Sequence, residues 1–227
     1  DRAAFESELR WLTGESMKSV CMLLQGHYEG DIRVRRKAEA LVSAGYRVDV
    51  LALRSDTSSA VEYDLNGVHV YTLSLGKKRG TLARYAFEYG AFALWACWKL
   101  AGLMRKHRYE AVDVNTLPDF LVFAAWPARR KGAAIVLDMH EITPEFYISK
   151  YKIAPDSWVI TALSWIERWS MGYADHVLTI NEPIQRLLEG RGLQPDKSTV
   201  VMNSADENLF TKADSASADA RRERSEG

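Results

Sequence analysis

Net charge is what this chain most conspicuously lacks. Its 30 lysines and arginines are matched by 30 aspartates and glutamates, so no overall bias toward nucleic acid exists. Cysteine is scarce. Cys21 and Cys97 are the only two, one in a strand pattern and one in a helix pattern. They exclude a disulfide scaffold and read as reduced, buried thiols of a cytoplasmic protein. The five histidines are scattered without metal-ligand spacing. The Gly-x-Gly-x-x-Gly, Walker A and Gly-x-Ser-x-Gly patterns are all missing, which removes the usual dinucleotide, P-loop and hydrolase signatures. There are no internal repeats and no carboxylate pair spaced for glycoside hydrolysis.

What is present is an alternation of apolar strands and amphipathic helices. Val20 to Leu24 is a continuous apolar run, the pattern of a parallel strand covered on both faces. Gly26, His27, Tyr28, Glu29 and Gly30 follow as a turn, with the two glycines free to take positive φ. Asp31 is placed to cap a helix, whose apolar face is Val34, Ala38, Leu41 and Val42 and whose stop is Gly45. Val48 to Leu53 is a second strand. Asn66-Gly67 marks a hairpin within residues 62–75, and Val68 to Leu73 is its second arm. Further strands are expected at Ala111–Val114, Ala133–Met139, His176–Ile180 and Thr199–Met202, separated by helical patterns at 82–107, 117–130, 156–173 and 182–189. About seven mostly parallel strands with helices on both faces predict a single doubly wound, Rossmann-like α/β domain. Residues 1–16 are charged, without the apolar core of a signal peptide, and are expected to form an extension. The domain is placed at 17–210, and 211–227 reads as a polar tail or the start of a linker.

Two stretches carry further content. Arg33, Arg35 and Arg36 sit near a helix start, where cations are mildly unfavourable unless an anion faces them. Local pairing, as between Arg35 and Glu39, and a bound phosphate both satisfy them. Residues 82–107 are apolar on more than one face, but Arg84, Glu88 and Lys99 interrupt the run before it reaches the length of a membrane span. A core helix is the expected reading. Contact with a membrane surface, aided by Lys77, Lys78, Arg79, Arg105, Lys106 and Arg108, is the alternative. Trp158, Trp165 and Trp169 are expected to be mostly core.

Four segments in order resemble the N-terminal domain of family 4 (group 1) glycosyltransferases, which have two Rossmann-like domains in the GT-B arrangement. They are GDIRVRRKAEALVSAGYRVDVLAL (30–53), VLDMHEITPE (136–145), ERWSMGYADHVLTINEPIQRLL (167–188) and VVMNSADENLF (200–210). The resemblance implies transfer of a sugar from a nucleotide-sugar to a glycan or lipid-linked acceptor with retention at the anomeric carbon. No metal or other cofactor is implied. It also implies a second Rossmann-like domain, in cis or in trans, that holds the donor and carries a Glu-x7-Glu motif. This chain alone is therefore expected to be inactive. His140, ending a strand, becomes the candidate catalytic residue. Gly26, His27, Arg33, Arg36, Asn115, Thr116, Glu141 and Glu145 become candidate acceptor or phosphate contacts. The expected location is cytoplasmic, with possible peripheral contact at the inner face of the membrane. The competing readings are a non-catalytic module of the same fold and another Rossmann-like ligand-binding domain.

Overall fold

The computed structural model describes residues 17–55, 60–75 and 82–202. The expected N-terminal extension, the basic loop at 77–80 and the polar tail lie outside the described residues. Eight strands form one sheet in the order β3-β4-β2-β1-β5-β6-β7-β8. They are β1 (Ser19–His27), β2 (Arg47–Leu53), β3 (Glu62–Leu65), β4 (Val68–Leu73), β5 (Ala111–Asn115), β6 (Ala134–Met139), β7 (His176–Thr179) and β8 (Ser198–Val200). Among the described strands only β3 runs antiparallel, as the outer arm of the hairpin. Its turn has Asn66 at φ 52° and Gly67 at φ +80°, the left-handed pair that Asn-Gly favours. The strand order reverses direction between β1 and β5, so the topological switch point lies there.

Among the described residues six helices cover the sheet: α1 (Ile32–Ser43), α2 (Leu82–Leu103), α3 (Trp126–Arg129), α4 (Thr143–Tyr151), α5 (Trp158–Tyr173) and α6 (Glu182–Gly190). Helix α1 lies on one face, where Val34 and Ala38 are fully buried against Val20, Met22, Val48, Val50, Val68 and Val70. The opposite face packs Cys21, Leu23, Leu51, Val112, Val114, Ile135 and Leu137 against Phe92, Ala96 and Leu100 of α2, Ala128 of α3, Met171 of α5 and Leu188 of α6. Alternate residues of β1 thus feed two different cores, which is why Val20–Leu24 shows no polar alternation. Both cysteines are free, Cys21 buried and Cys97 half-buried.

Four expectations are corrected. Gly26 and Gly30 take no positive φ, which the described glycines reserve for Gly45, Gly67, Gly132 and Gly192. Instead β1 continues to His27 past an irregularity in its pairing with β2, and Tyr28–Gly30 is a 3-10 turn. Burial of the Tyr28 ring in the α1-side core draws the chain straight from strand into helix. The helix expected at 117–130 is a 3-10 segment, Asp119–Ala125, followed by the single turn of α3. Its residues Leu121, Val122, Ala124 and Ala125 are all buried, and the threefold repeat accommodates contacts on several sides. Helix α2 is not enclosed: Phe87, Leu94 and Trp98 are 67%, 76% and 73% exposed. Trp158, Trp165 and Trp169 are likewise surface residues, not core.

Candidate functional site

The carboxyl ends of β1, β5 and β6 meet the N-terminus of α1 at the switch point, where doubly wound sheets bind ligands. Asp31 caps α1 by accepting from the backbone N–H groups of Arg33 and Val34 at 3.2 and 3.3 Å. That cap directs the first turn, and with it Arg33, Arg36 and Lys37, toward the strand ends. An open cleft of about 560 Å³ results, lined by Ile32, Arg33, Arg36, Lys37, Asp138, His140, Val201 and Met202.

A buried charge cluster floors this cleft. Lys37 reaches across from α1 to both Asp113 on β5, at 2.6 Å, and Asp138 on β6, in a still closer contact. Its ammonium also donates to Asn115 Oδ1 at 3.0 Å. Asn115 in turn donates to the Leu23 carbonyl at 3.3 Å and to Asp113 Oδ2 at 3.4 Å, tying β1 to β5. Burial pulls down the pKa of Lys37, but attraction to Asp113 and then Asp138 outweighs it and holds the group above its ordinary value. Burial raises Asp113 more than Lys37 lowers it, and Asp113 Oδ1 has no partner. For Asp138 burial also raises, but His140 and Lys37 together hold the carboxylate below its ordinary value. The pair therefore divides: Asp138 is the anion, and Asp113 is the carboxyl nearer to holding a proton.

His140 follows β6 directly and is only 8% exposed. Its backbone N–H donates to Thr116 Oγ1 at 3.3 Å, and Thr116 Oγ1 donates to the Asp138 carbonyl at 3.1 Å. These bonds fix the backbone that presents the ring. Nε2 lies 3.3 Å from Asp138 Oδ2, off the line of a good hydrogen bond, and Nδ1 has no protein partner. A buried imidazole beside a carboxylate, open to a cleft, is equipped to donate to or accept from a bound hydroxyl.

The structure separates the sequence-predicted residues. His140, Arg33 and Arg36 line the cleft together. Arg33 pairs with Asp31 at 3.2 Å while 40% of its side chain remains exposed, so its guanidinium keeps free donors. Asn115 and Thr116 lie beneath, buried in the supporting network. Gly26 sits inside β1, and a Cβ there would make only ordinary contact with Leu24 at 3.5 Å; nothing at that position demands glycine. His27 Nδ1 lies 3.3 Å from the Leu53 carbonyl, at the β1–β2 junction. Glu141 is exposed beside the site. Glu145 pairs with Arg191, whose Nη1 donates to it at 3.1 Å and to buried Glu167 at the same distance. It joins α4 to the end of α6 and does not line the cleft.

Sequence reasoning missed Lys37, Asp113 and Asp138. The available signal was two acids, Asp113 and Asp138, inside otherwise apolar strand runs. Buried carboxylates require a cation or a proton, and Lys37 is the cation. Asp119 was missed too. Asp119 is 1% exposed and neither of its carboxyl oxygens has a hydrogen-bond partner; burial pushes its pKa up to about 7, and neighbouring Thr143 limits the rise.

The sequence pattern of the glycosyl transferase 4-like domain matches residues 31–204. No curated protein sequence matches the chain. Among solved structures, sucrose-phosphate synthase from Thermosynechococcus elongatus superposes with a TM-score of 0.63 at 16% identity, over 90% of this chain and 53% of that one. UGT2 of Phytolacca americana, complexed with UDP-2-fluoro-glucose and pterostilbene, gives 0.55 at 10% identity over 86% and 56%. A glycosyltransferase from Rickettsia africae gives 0.53 at 11% identity over 93% and 50%. This chain thus spans about half the length of those enzymes. At such identities the likeness concerns the fold, a Rossmann-like unit of the GT-B type. Matched over most of its length, the chain belongs to the glycosyl transferase 4-like domain family.

Proposed function

We propose that this chain is the acceptor-binding half of a retaining glycosyltransferase. A sugar passes from a nucleotide-sugar to a glycan or lipid-linked acceptor, and the donor is held by a second Rossmann-like domain facing the cleft. The observation that carries the reading is the cleft at the switch point. It puts two arginines at a helix N-terminus opposite a buried, incompletely partnered histidine. Arg33 and Arg36 suit a phosphate, either on the acceptor or on the donor. His140 is placed to hydrogen-bond the transferred sugar or the attacking hydroxyl. Lys37 and Asp138 line the same cleft and position the imidazole, with Asp138 3.3 Å from Nε2 and Lys37 holding Asp138. The charge of the diphosphate is met by these cations and the second domain's, not by a metal. The enzyme works in the cytoplasm, in assembly of a polysaccharide or glycolipid.

The test uses the chain joined to its donor domain. Arg33→Ala should raise the KM of whichever substrate carries the phosphate, acceptor or donor, about tenfold, a typical loss of ~1.4 kcal/mol for one charge-assisted contact. His140→Ala should lower kcat by about 10²-fold. Unchanged kinetics in both variants would overturn the assignment. Titration of this chain alone with UDP-sugars should show no tight binding; micromolar affinity here would move the donor site into this half.

A further inference from the structure

Tryptophan is distributed over this protein in an unusual way. The chain has seven, and Trp98, Trp126, Trp158, Trp165 and Trp169 are each more than half exposed. All five lie on α2, α3 and α5. These helices share one face of the sheet: α2 packs on α3, and the 3-10 segment 119–125 contacts both α2 and α5. On α2 the outward line is Phe87, Leu94 and Trp98, continued by Ala101 and, past the helix end, Arg105, while Phe92, Ala96 and Leu100 face the core. On α5 the outward line is Trp158, Trp165 and Trp169. Both sets recur at seven and then four residues, one stripe of a helix each.

Cations outnumber acids around these aromatics, the exposed acids of the flanking segments being Glu110, Asp156 and Asp175. Exposed cations are Arg105, Lys106 and Arg108 beyond α2, Arg129, Arg130 and Lys131 around the end of α3, and Arg168 on α5. Arg130 lies over the Trp126 ring at 5.0 Å and Arg129 over Tyr173 at 4.5 Å. The described acids on the three helices are Glu88, paired with Arg84 at 2.7 Å, and Glu167, buried against Arg191. Flanking α5, Asp156 precedes it and Asp175 follows it, 3.7 Å from Arg129.

We propose that this helical face is a docking surface for an anionic lipid bilayer. The tryptophans would sit at headgroup depth, where an amphipathic ring satisfies both its apolar body and its N–H, and the arginines and lysines would meet lipid phosphates. No described helix is long and apolar enough to cross a membrane, so the contact is peripheral. A second copy of the chain fits less well. Two-fold pairing of this face would set its cations against their own images, without the charge depletion of protein interface cores. The inference is independent of the cleft reading, and its test involves no sugar.

The full chain is mixed with vesicles of phosphatidylcholine, with and without about 30 mol% phosphatidylglycerol, and binding is read by co-sedimentation and tryptophan fluorescence. Binding to the anionic vesicles should be at least roughly tenfold tighter and should weaken with salt. The emission should shift to the blue and be quenched by brominated lipid. Trp98→Glu and Trp165→Glu, exposed positions that leave the core intact by circular dichroism, should each weaken binding about tenfold. Equal affinity for neutral vesicles, no binding, or unaffected variants would overturn the proposal. So would a lipid-free dimer that Trp98→Glu converts to monomer, which would assign the face to a second copy.

Discussion

Replacing Lys37 by methionine tests the charge cluster most directly. Methionine keeps much of the aliphatic stem, so the packing of α1 against the strand ends changes little. The ammonium disappears from between Asp113, 2.6 Å away, and Asp138, closer still, both nearly buried. Losing one partner of a buried ion pair typically costs about 3–5 kcal/mol, because the remaining charge is uncompensated. Here two carboxylates remain, so one must take a proton. Asp113, already raised by burial, is the one to do so. The sign follows: its folded pKa lies above its unfolded value, so the variant's deficit grows as pH rises above the unfolded value near 4 and levels off above the folded one. The deficit relative to wild type should therefore be about 3–5 kcal/mol at pH 7.5 and under about 2 kcal/mol at pH 5, measured by urea unfolding. Lys37→Met with Asp113→Asn should recover much of the loss at pH 7.5. A deficit below about 1 kcal/mol, identical at both pH values, would refute the assignment of Lys37 as the counterion of a buried acid pair.

Three further outcomes follow from other contacts. Asp119, with its pKa pushed up to about 7 by burial, stays protonated in the fold where the unfolded chain ionises. Wild type should lose about 2–3 kcal/mol between pH 5 and pH 8 through this group, and Asp119→Asn should flatten that slope in urea titrations. Arg191→Ala strands fully buried Glu167 and should cost about 3–5 kcal/mol at neutral pH; adding Glu167→Gln should restore part of it, read by thermal unfolding. Gly67→Ala puts a Cβ 2.8 Å from Val42 Cγ1 at φ +80°. The combined clash and left-handed strain should cost about 2 kcal/mol in the same assay, whereas Gly26→Ala should cost under about 1 kcal/mol.

Much of this architecture depends on local chemistry, and local chemistry is written in the chain. Val20–Leu24 is apolar on both sides because it lies between two cores. Asp31 caps α1 and Asn181 caps α6 as their types require. Asn66-Gly67 turns the hairpin because only such residues take two successive positive φ values cheaply. Arg33, Arg36 and His140 could be placed near one edge from strand and helix ends alone.

Tertiary structure decided the rest. No periodicity links Lys37 to Asp113 and Asp138, which are 76 and 101 positions away; the pairing exists because α1 crosses the ends of strands brought together by non-local pairing. Asn115 and Thr116 look like ligand contacts at a strand end, yet adjacent strands turn them into the scaffold of His140. Glu145 has the residue type of a site carboxylate, but α6 delivers Arg191 to it first. Apolar content alone also misplaced the aromatics of α2 and α5. Hydrophobicity records that Leu94, Trp98 and Trp165 avoid water, whereas only the layer order shows that neither core reaches them.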